Sequence, residues 1–119
     1  MNKLARVDFG RVAGVPFVAV RGEIDLSNAS DVLEAGVEAA VSDGPPALIV
    51  DLSDVSYVDS AGIRALFELG ERLAALGNRM LTVVPENAPI MRVLELADAA
   101  SALAVCPTVE AAVARVNED

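Results

Sequence analysis

The chain alternates between short, continuous apolar runs and longer segments in which apolar residues recur every three or four positions. Runs rich in Val, Ile and Leu predict strands, whereas a period near 3.6 residues predicts amphipathic helices. The predicted strands are Leu4–Val12, Val15–Arg21, Ala47–Leu52 and Arg79–Val84, with a weaker one at Leu103–Val105. The predicted helices are Ala29–Val41, Ser60–Leu76, a short one after Asn87 that has Pro89 in its first turn and extends to Leu96, and Val109–Val116.

These elements follow one another in the order β-β-α-β-α-β-α-(β)-α. Strands that alternate with helices favour parallel pairing beneath a helical layer, while the first two strands, joined at Ala13-Gly14, favour an antiparallel hairpin. The sequence therefore predicts a small α/β fold, in which helices pack against a mixed, mostly parallel β-sheet. Its 119 residues are the length of one domain, and we expect a single domain over residues 1–119.

Polar and small residues mark where these elements are expected to begin and end. Loops are predicted over Gly22–Asn28 and Ser53–Asp59. Helix N-caps are predicted at Ser27 or Asn28, Ser60, Asn87 and Thr108. Helix ends are predicted at Gly44 with the prolines after it, and at Gly77-Asn78.

The charge of the chain narrows the possible partners. It carries 18 acidic and 9 basic residues, a formal net charge of −9. Nucleic acid and anionic lipid both require basic side chains for neutralisation, so neither nucleic-acid binding nor membrane insertion is expected. No run approaches the roughly 18 apolar residues of a membrane helix, and no apolar secretion signal is present, so we expect a cytoplasmic protein. The acidity serves solubility or matches a basic partner surface.

The residue inventory excludes several kinds of catalysis. Histidine is absent and Cys106 is the single cysteine. Histidine-based acid/base pairs and nucleophilic triads are therefore excluded, as is a disulfide within the chain. No Asp/Glu spacing resembles a calcium loop, and no glycine-rich loop is suited to cradle phosphates. We expect no enzyme activity, no catalytic residue, no metal and no cofactor, with Cys106 as a small core residue.

One stretch, VSYVDSAGIRALFELG over Val55–Gly70, carries the candidate chemistry. Ser60 stands where an extended run gives way to a helical one, so that it, or Asp59 before it, is suited to cap the helix. Gly62 costs about 1 kcal/mol of helix propensity relative to Ala, which indicates a close approach or a docked surface at this end. If Ser60 is phosphorylated, the helix N-terminus tolerates the added charge, whereas a docked partner does not.

Two motifs resemble the STAS domain, a fold shared by anti-sigma factor antagonists and the cytoplasmic tails of sulfate transporters. RGEIDLSNA, Arg21–Ala29, looks like the G-E-[LI]-D loop of that family. LIVDLSDVSYVDSAGIRAL, Leu48–Leu66, is similar to its strand and its D-S-[ST/A]-G-[LI] signature. The order of elements also matches, and the resemblance covers essentially the whole chain.

The resemblance implies a function by partner switching, as in the anti-sigma factor antagonist branch. The serine directly after the aspartate is the phosphoacceptor there, which corresponds to Ser60. The unmodified protein would bind an anti-sigma factor that is also a serine kinase of the histidine-kinase-like ATPase fold, and binding would release the sigma factor. Phosphorylation would end the binding, and a serine phosphatase would reset it.

The same resemblance implies a set of partner-binding residues around the phosphoacceptor. They are Asp25, Asp59, Ala61, Gly62, Ile63 and Arg64. Many antagonists have Ser or Thr directly before the glycine, where this chain has Ala61. Some family members with alanine there are not kinase substrates.

Three other interpretations compete with this one, and the residues argue against the second and the third. In the first, the chain is a STAS scaffold subunit of a lipid-transporting ABC system, and Ser60 is a contact or a cap. In the second it is a phospho-aspartate receiver, because Asp51 ends a predicted buried strand; receivers also need a late lysine, whereas the sole lysine here is Lys3. A small-molecule enzyme is the third, and it lacks a base-activated nucleophile.

Overall fold

The computed structural model describes residues 5–43 and 46–118. Its strands are β1 Ala5–Val12, β2 Val15–Ile24, β3 Ala47–Val58, β4 Arg79–Val83 and β5 Val105–Cys106. Its helices are α1 Ala29–Asp43, α2 Ser60–Ala75, α3 Met91–Leu96 and α4 Val109–Val116. The predicted order of elements is confirmed. Leu4, Gly44 and Pro45, which figured in the predicted boundaries, lie outside the described residues.

The strands form one five-stranded sheet in the order β1-β2-β3-β4-β5. β1 and β2 pair antiparallel, and the other neighbouring strands pair parallel, as predicted. Ala13 and Gly14 join the hairpin with φ values of 52° and 80°. Positive φ at both positions is typical of the tight turn whose twist matches that of two paired strands.

β2 and β3 are longer than predicted, and both predicted loops are partly wrong. β2 runs on through Gly22–Ile24, while β3 runs through Ser53–Val58. The two strands stay paired to their ends, where Ile24 lies opposite Val58. At two register shifts β3 supplies one more residue than β2. Such bulges break the alternation of apolar and polar residues, which made this stretch of β3 resemble a loop in the sequence.

This extension lies beyond the end of β4. β4 pairs with β3 only as far as Asp51, opposite Val83. The last part of β3 therefore pairs with β2 alone, and its buried side chains, Val55 and Val58, pack in the core beside Ile24. The extension carries the end of β3, and the start of the helix after it, out past the edge of the parallel sheet.

Apolar side chains are buried on both faces of the sheet. On one face α1, α2 and α3 cover a core of Val, Leu and Ile side chains, among them Val18, Leu48, Val50, Leu52, Leu66, Leu73 and Leu94. On the other face α4 covers a smaller cluster around Ile49, Leu81 and Val83. Cys106 belongs to this smaller cluster and is buried, as predicted.

Helix α2 ends as the sequence predicts. Gly77 has a φ of 75°, which a residue without a Cβ adopts at little cost. The N–H of Gly77 donates to the carbonyl of Ala74, and the N–H of Asn78 donates to the carbonyl of Leu73 at 2.8 Å. This pair of bonds is the Schellman arrangement, which satisfies carbonyls that the helix leaves free. The Thr108 cap is also confirmed, since its hydroxyl accepts from the N–H of Ala111.

Two smaller predictions in the last third of the chain are wrong. Asn87 does not cap α3: the N-cap position belongs to Ile90, which makes no side-chain capping bond. Pro85 to Ala88 instead form a turn of their own, closed by the bond from Ala88 N–H to the Pro85 carbonyl. The last strand is Val105–Cys106, because Ala104, with a φ of 50°, is not in an extended conformation.

Two glycines of α2 give a matched test of how the helix packs. A Cβ on Gly62 would lie 2.6 Å from Cγ2 of Val58 and 3.0 Å from the Ile24 carbonyl oxygen, whereas a Cβ on Gly70 would meet only Cε of Met80 at 3.8 Å. We expect Gly62→Ala to lower the free energy of unfolding by about 1–3 kcal/mol, because the backbone of β2 cannot yield to a methyl group. Gly70→Ala should raise it by about 0.5–1 kcal/mol through helix propensity.

Urea unfolding of the two variants and the wild type measures both changes. Equal effects of the two substitutions would contradict the close packing of the start of α2 on β2 and β3.

Candidate functional site

Two connections that are distant in sequence meet at one end of the sheet. The Asp25 loop (Asp25–Asn28) leads from β2 into α1, and Asp59 leads from β3 into α2. Because β2 and β3 are parallel, the segments that follow them leave the sheet at the same edge. The backbone N–H of Asp59 donates to the carbonyl of Ile24, the last residue of β2, at 3.2 Å. The expectation that Asp25 lies near the start of α2 is thereby met.

The side chain of Asp59 joins the two connections. Its Oδ1 accepts from the N–H of Gly62 at 2.9 Å and so caps the first turn of α2. Its Oδ2 accepts from the N–H of Leu26, in the Asp25 loop, at 3.2 Å. One carboxylate therefore satisfies a free amide of the helix and an amide of the neighbouring loop. Its negative charge also lies at the positive end of the helix dipole.

Asp59, and not Ser60, is the N-cap of α2. Its backbone is extended, with φ −99° and ψ −175°, which is the conformation of a capping residue. Ser60 is the first residue of the helix itself. The prediction that Ser60 caps the helix is thus wrong, and of the two residues the sequence offered, Asp59 takes the role because its longer side chain reaches both amides.

Because Asp59 is the cap, the Ser60 side chain has no structural role within the part of the chain that is described. The residue is exposed, and its hydroxyl makes no hydrogen bond to residues 5–43 or 46–118. Arg64, one turn later, is exposed as well. Chemistry at the Ser60 hydroxyl would break no contact of the described fold.

The other predicted site residues of α2 face the interior to different degrees. Ala61 and Ile63 are partly buried and pack against the main core cluster, and Gly62 is buried. The close approach that Gly62 indicated is therefore the approach of α2 to Val58 and Ile24. Intramolecular packing accounts for this glycine without a docked surface.

The Asp25 loop is held in one shape by its own side chains. Oδ1 of Asp25 accepts from the N–H of Ser27 at 3.0 Å, and the Asp25 carbonyl accepts from the N–H of Ala29 at 2.8 Å. Asn28 occupies the position before α1, as predicted. Its amide oxygen, however, accepts from the N–H of Asp25, and its amide nitrogen donates to the Glu23 carbonyl. Asn28 therefore braces the loop and does not cap α1.

Asp25, Leu26, Ser27 and Asp59 line a shallow concavity of about 370 Å³, which we call the acidic recess. Two carboxylates and one exposed leucine side chain give it a mixed acidic and apolar character. Among the described residues, no group of three or more Asp, Glu or Cys side chains is arranged to hold a metal ion. In the same residues, no helix is both long and apolar enough to cross a bilayer.

Sequence reasoning missed two features of this site. The double contact of Asp59 depends on the pairing of Ile24 with Val58, which the bulges of β3 concealed. Leu26 was not singled out, although an apolar residue between two polar ones in a predicted loop is a usable signal.

Asp51, the candidate of the receiver interpretation, accepts from Ser53 within β3 and ends no strand.

The fold and the site describe a small α/β domain that presents a capped helix start and a rigid loop at one end of its sheet. Comparison with known proteins identifies the family: a model of the STAS domain matches residues 7–112, and the chain belongs to that family. The predicted resemblance is confirmed.

Three relatives illustrate the similarity. The anti-sigma-F factor antagonist RsfB of Mycobacterium tuberculosis is 38% identical over 60 residues, and the match spans 50% of this chain and 48% of that relative. The crystal structure of an anti-sigma factor antagonist from Mycobacterium paratuberculosis is 30% identical with a TM-score of 0.81, covering 96% of this chain and 95% of the other. The Bacillus protein SpoIIAA in its phosphorylated form is 21% identical with a TM-score of 0.63, covering 94% of this chain and 100% of the other. At that identity, the likeness concerns the fold alone.

The different roles of Asp59 and Ser60 can be separated by their effects on stability. We expect Asp59→Ala to lower the free energy of unfolding by about 1–2 kcal/mol, because it removes an N-cap together with the bond to the Asp25 loop. Ser60→Ala should change it by less than about 0.5 kcal/mol, since it removes no contact. Chemical denaturation followed by circular dichroism measures both.

Asp59→Asn is the matched control, because asparagine also caps helices well. Its stability should fall between the other two variants. A larger loss for Ser60→Ala than for Asp59→Ala would contradict the assignment of the cap.

Proposed function

We propose that this protein is an anti-sigma factor antagonist that works by partner switching. In its unmodified form it binds an anti-sigma factor, which is also a serine kinase of the histidine-kinase-like ATPase fold, and so releases the sigma factor. The observation that supports the proposal most directly is the exposure of Ser60 at the start of α2. Its hydroxyl has no structural role within the described residues, because the neighbouring Asp59 caps the helix. Membership of the STAS family and the names of the relatives support it.

The proposed modification is transfer of the γ-phosphoryl group of ATP to the Ser60 hydroxyl oxygen. The O–P bond to serine forms as the bond from the γ-phosphorus to the bridging oxygen of ADP breaks, and the hydroxyl proton passes to a base on the kinase. Hydrolysis of the phosphoserine by a serine phosphatase would return the protein to its binding form. This chain would be a binding partner and a substrate, and not itself an enzyme.

The surroundings of Ser60 explain how the fold can survive this modification. The hydroxyl is exposed, so a phosphate attached to it stays in water. The first residue of a helix is also a favourable place for negative charge because of the helix dipole. The carboxylate of Asp59 would keep its bonds to Gly62 and Leu26, since neither bond involves Ser60.

The complex, in contrast, would be weakened. For the transfer to occur, Ser60 must lie against the nucleotide phosphates of the kinase. After transfer, the phosphoserine faces ADP across a desolvated interface, where like charges repel strongly. The acidic recess supplies two more carboxylates nearby, from Asp25 and Asp59. An added charge of about −1.5 to −2 is thus tolerated by the free protein and not by the complex.

A second function is favoured by one residue. Ala61 occupies the position before Gly62 where many antagonists have Ser or Thr. A scaffold subunit of a lipid-transporting ABC system would bind its ATPase subunit constitutively through the same helix end. In that case Ser60 would be a contact, and its charge state would not regulate binding.

Paired baits distinguish the two functions. Wild type and Ser60→Asp are immobilised and exposed to lysate of the source cell, and the retained proteins are identified by mass spectrometry. At a bait concentration well below the Kd, we expect wild type to retain a histidine-kinase-like ATPase and Ser60→Asp to lose at least about 90% of it, which there corresponds to a tenfold weakening, or about 1.4 kcal/mol. The thermal midpoints of the two baits should agree, because Ser60 is exposed.

Ser60→Ala is the control for the loss of the hydroxyl alone. It should retain the ATPase but accept no phosphate when that ATPase and ATP are added. An ABC-transport subunit held equally by all three baits would overturn the antagonist proposal in favour of the scaffold. Retention of the ATPase by a folded Ser60→Asp would overturn the switch.

A further inference from the structure

Leu26 is the most exposed of the large apolar side chains in the described residues, at 81% of its surface. A single exposed leucine is ordinary on a protein surface and needs no explanation by itself. Leu26 differs through its position, since it lies in the Asp25 loop beside the cap of α2. It also differs through the stiffness of the backbone that carries it.

Hydrogen bonds hold the backbone of Leu26 and of the residues around it. The N–H of Leu26 donates to Asp59, while the residues around it are tied by bonds from Asp25 N–H to Asn28 Oδ1 at 2.9 Å and from Asn28 Nδ2 to the Glu23 carbonyl at 2.9 Å. The backbone of such a loop loses little conformational freedom on binding. Preorganisation of this kind raises affinity because less entropy remains to be lost.

We propose that Leu26 is an apolar anchor of the interface with the anti-sigma factor kinase. It would insert into an apolar recess of the ATPase whose rim carries Lys or Arg side chains. This inference rests on the proposed function and adds the residue, and the partner chemistry, that the interface uses.

Charge and position together select this occupant. Leu26 shares the acidic recess with Asp25 and Asp59, so a surface that covers the leucine must also meet two carboxylates. Anionic lipid would be repelled by them, and a second copy of a chain with net charge −9 would bring the same charges. A basic rim around an apolar recess satisfies both features.

The same arrangement divides the interface into two parts. The Leu26 side would supply affinity through burial of apolar surface, whereas the Ser60 side would face the nucleotide of the kinase. Asp59 lies between them, with one carboxylate oxygen on the loop amide and the other on the helix amide. The anchor would therefore hold Ser60 at the nucleotide, and phosphorylation would oppose the contact that the anchor supports.

Calorimetric titration with the purified ATPase that wild type retains tests the anchor. We expect Leu26→Ala to raise the Kd at least about tenfold, and Leu26→Met to remain within about threefold of wild type, because methionine keeps the apolar volume. Leu76→Ala is the matched control: it is the same change at the opposite end of α2, on a residue 50% exposed, and should leave the Kd unchanged. The thermal midpoints of all variants should stay close to that of wild type.

The outcomes separate the anchor from the function. If wild type binds the ATPase and Ser60→Asp does not, an unchanged Kd for Leu26→Ala overturns the anchor and leaves the antagonist function standing. If wild type binds no such ATPase, both are overturned. A Kd that rises equally for Leu26→Ala and Leu76→Ala also overturns the anchor, and so does a rise accompanied by a lower thermal midpoint.

Discussion

The pairing of the ends of β2 and β3 is the constraint on which the site depends. Ile24 lies opposite Val58, beyond the last residue of β4, and both side chains are buried. This pair fixes where the two strands end. Gly62 packs directly against the same two residues. Because only a glycine allows α2 to come this close, the start of the helix and the Asp25 loop are brought within reach of a single carboxylate.

The Asp59 carboxylate then converts this proximity into a defined geometry. A helix start has free N–H groups that need acceptors, and a tight loop has them too. The Asp59 side chain satisfies one amide of the helix and one of the loop. The next residue, Ser60, is therefore left without a structural role. The exposure of Ser60 is thus a consequence of how the helix is capped. Modification of a serine that capped the helix itself would disturb its capping hydrogen bond, whereas modification of Ser60 disturbs no hydrogen bond within the described residues.

Periodicity combined with turn and cap residues was sufficient to predict the order of elements, the hairpin, the parallel pairing and the cap at Thr108. These sequence patterns were insufficient where one stretch, or two adjacent residues, fitted two different structural assignments. The bulges in β3 shift apolar residues such as Val55 out of strict alternation, so an extended strand resembled a loop. In the same way, adjacent Asp59 and Ser60 both suit an N-cap, and Asp59 gains a further bond from the N–H of Leu26, which is distant in sequence. A local sequence pattern carries no information about contacts with a strand or loop that is distant in sequence.

Under the proposed partner switching, the site must reconcile binding strength with reversibility, and its two halves suit those two demands separately. The Asp25 loop offers an apolar side chain on a hydrogen-bonded backbone, and the contribution of that side chain to binding would depend on burial and change little with charge. Ser60 offers a position where charge can be added in water without loss of native contacts. If both functions fell on one residue, any modification strong enough to end binding would also alter the surface that binds. Their separation across Asp59 would let a substitution at Leu26 change the affinity without altering the residue that is modified.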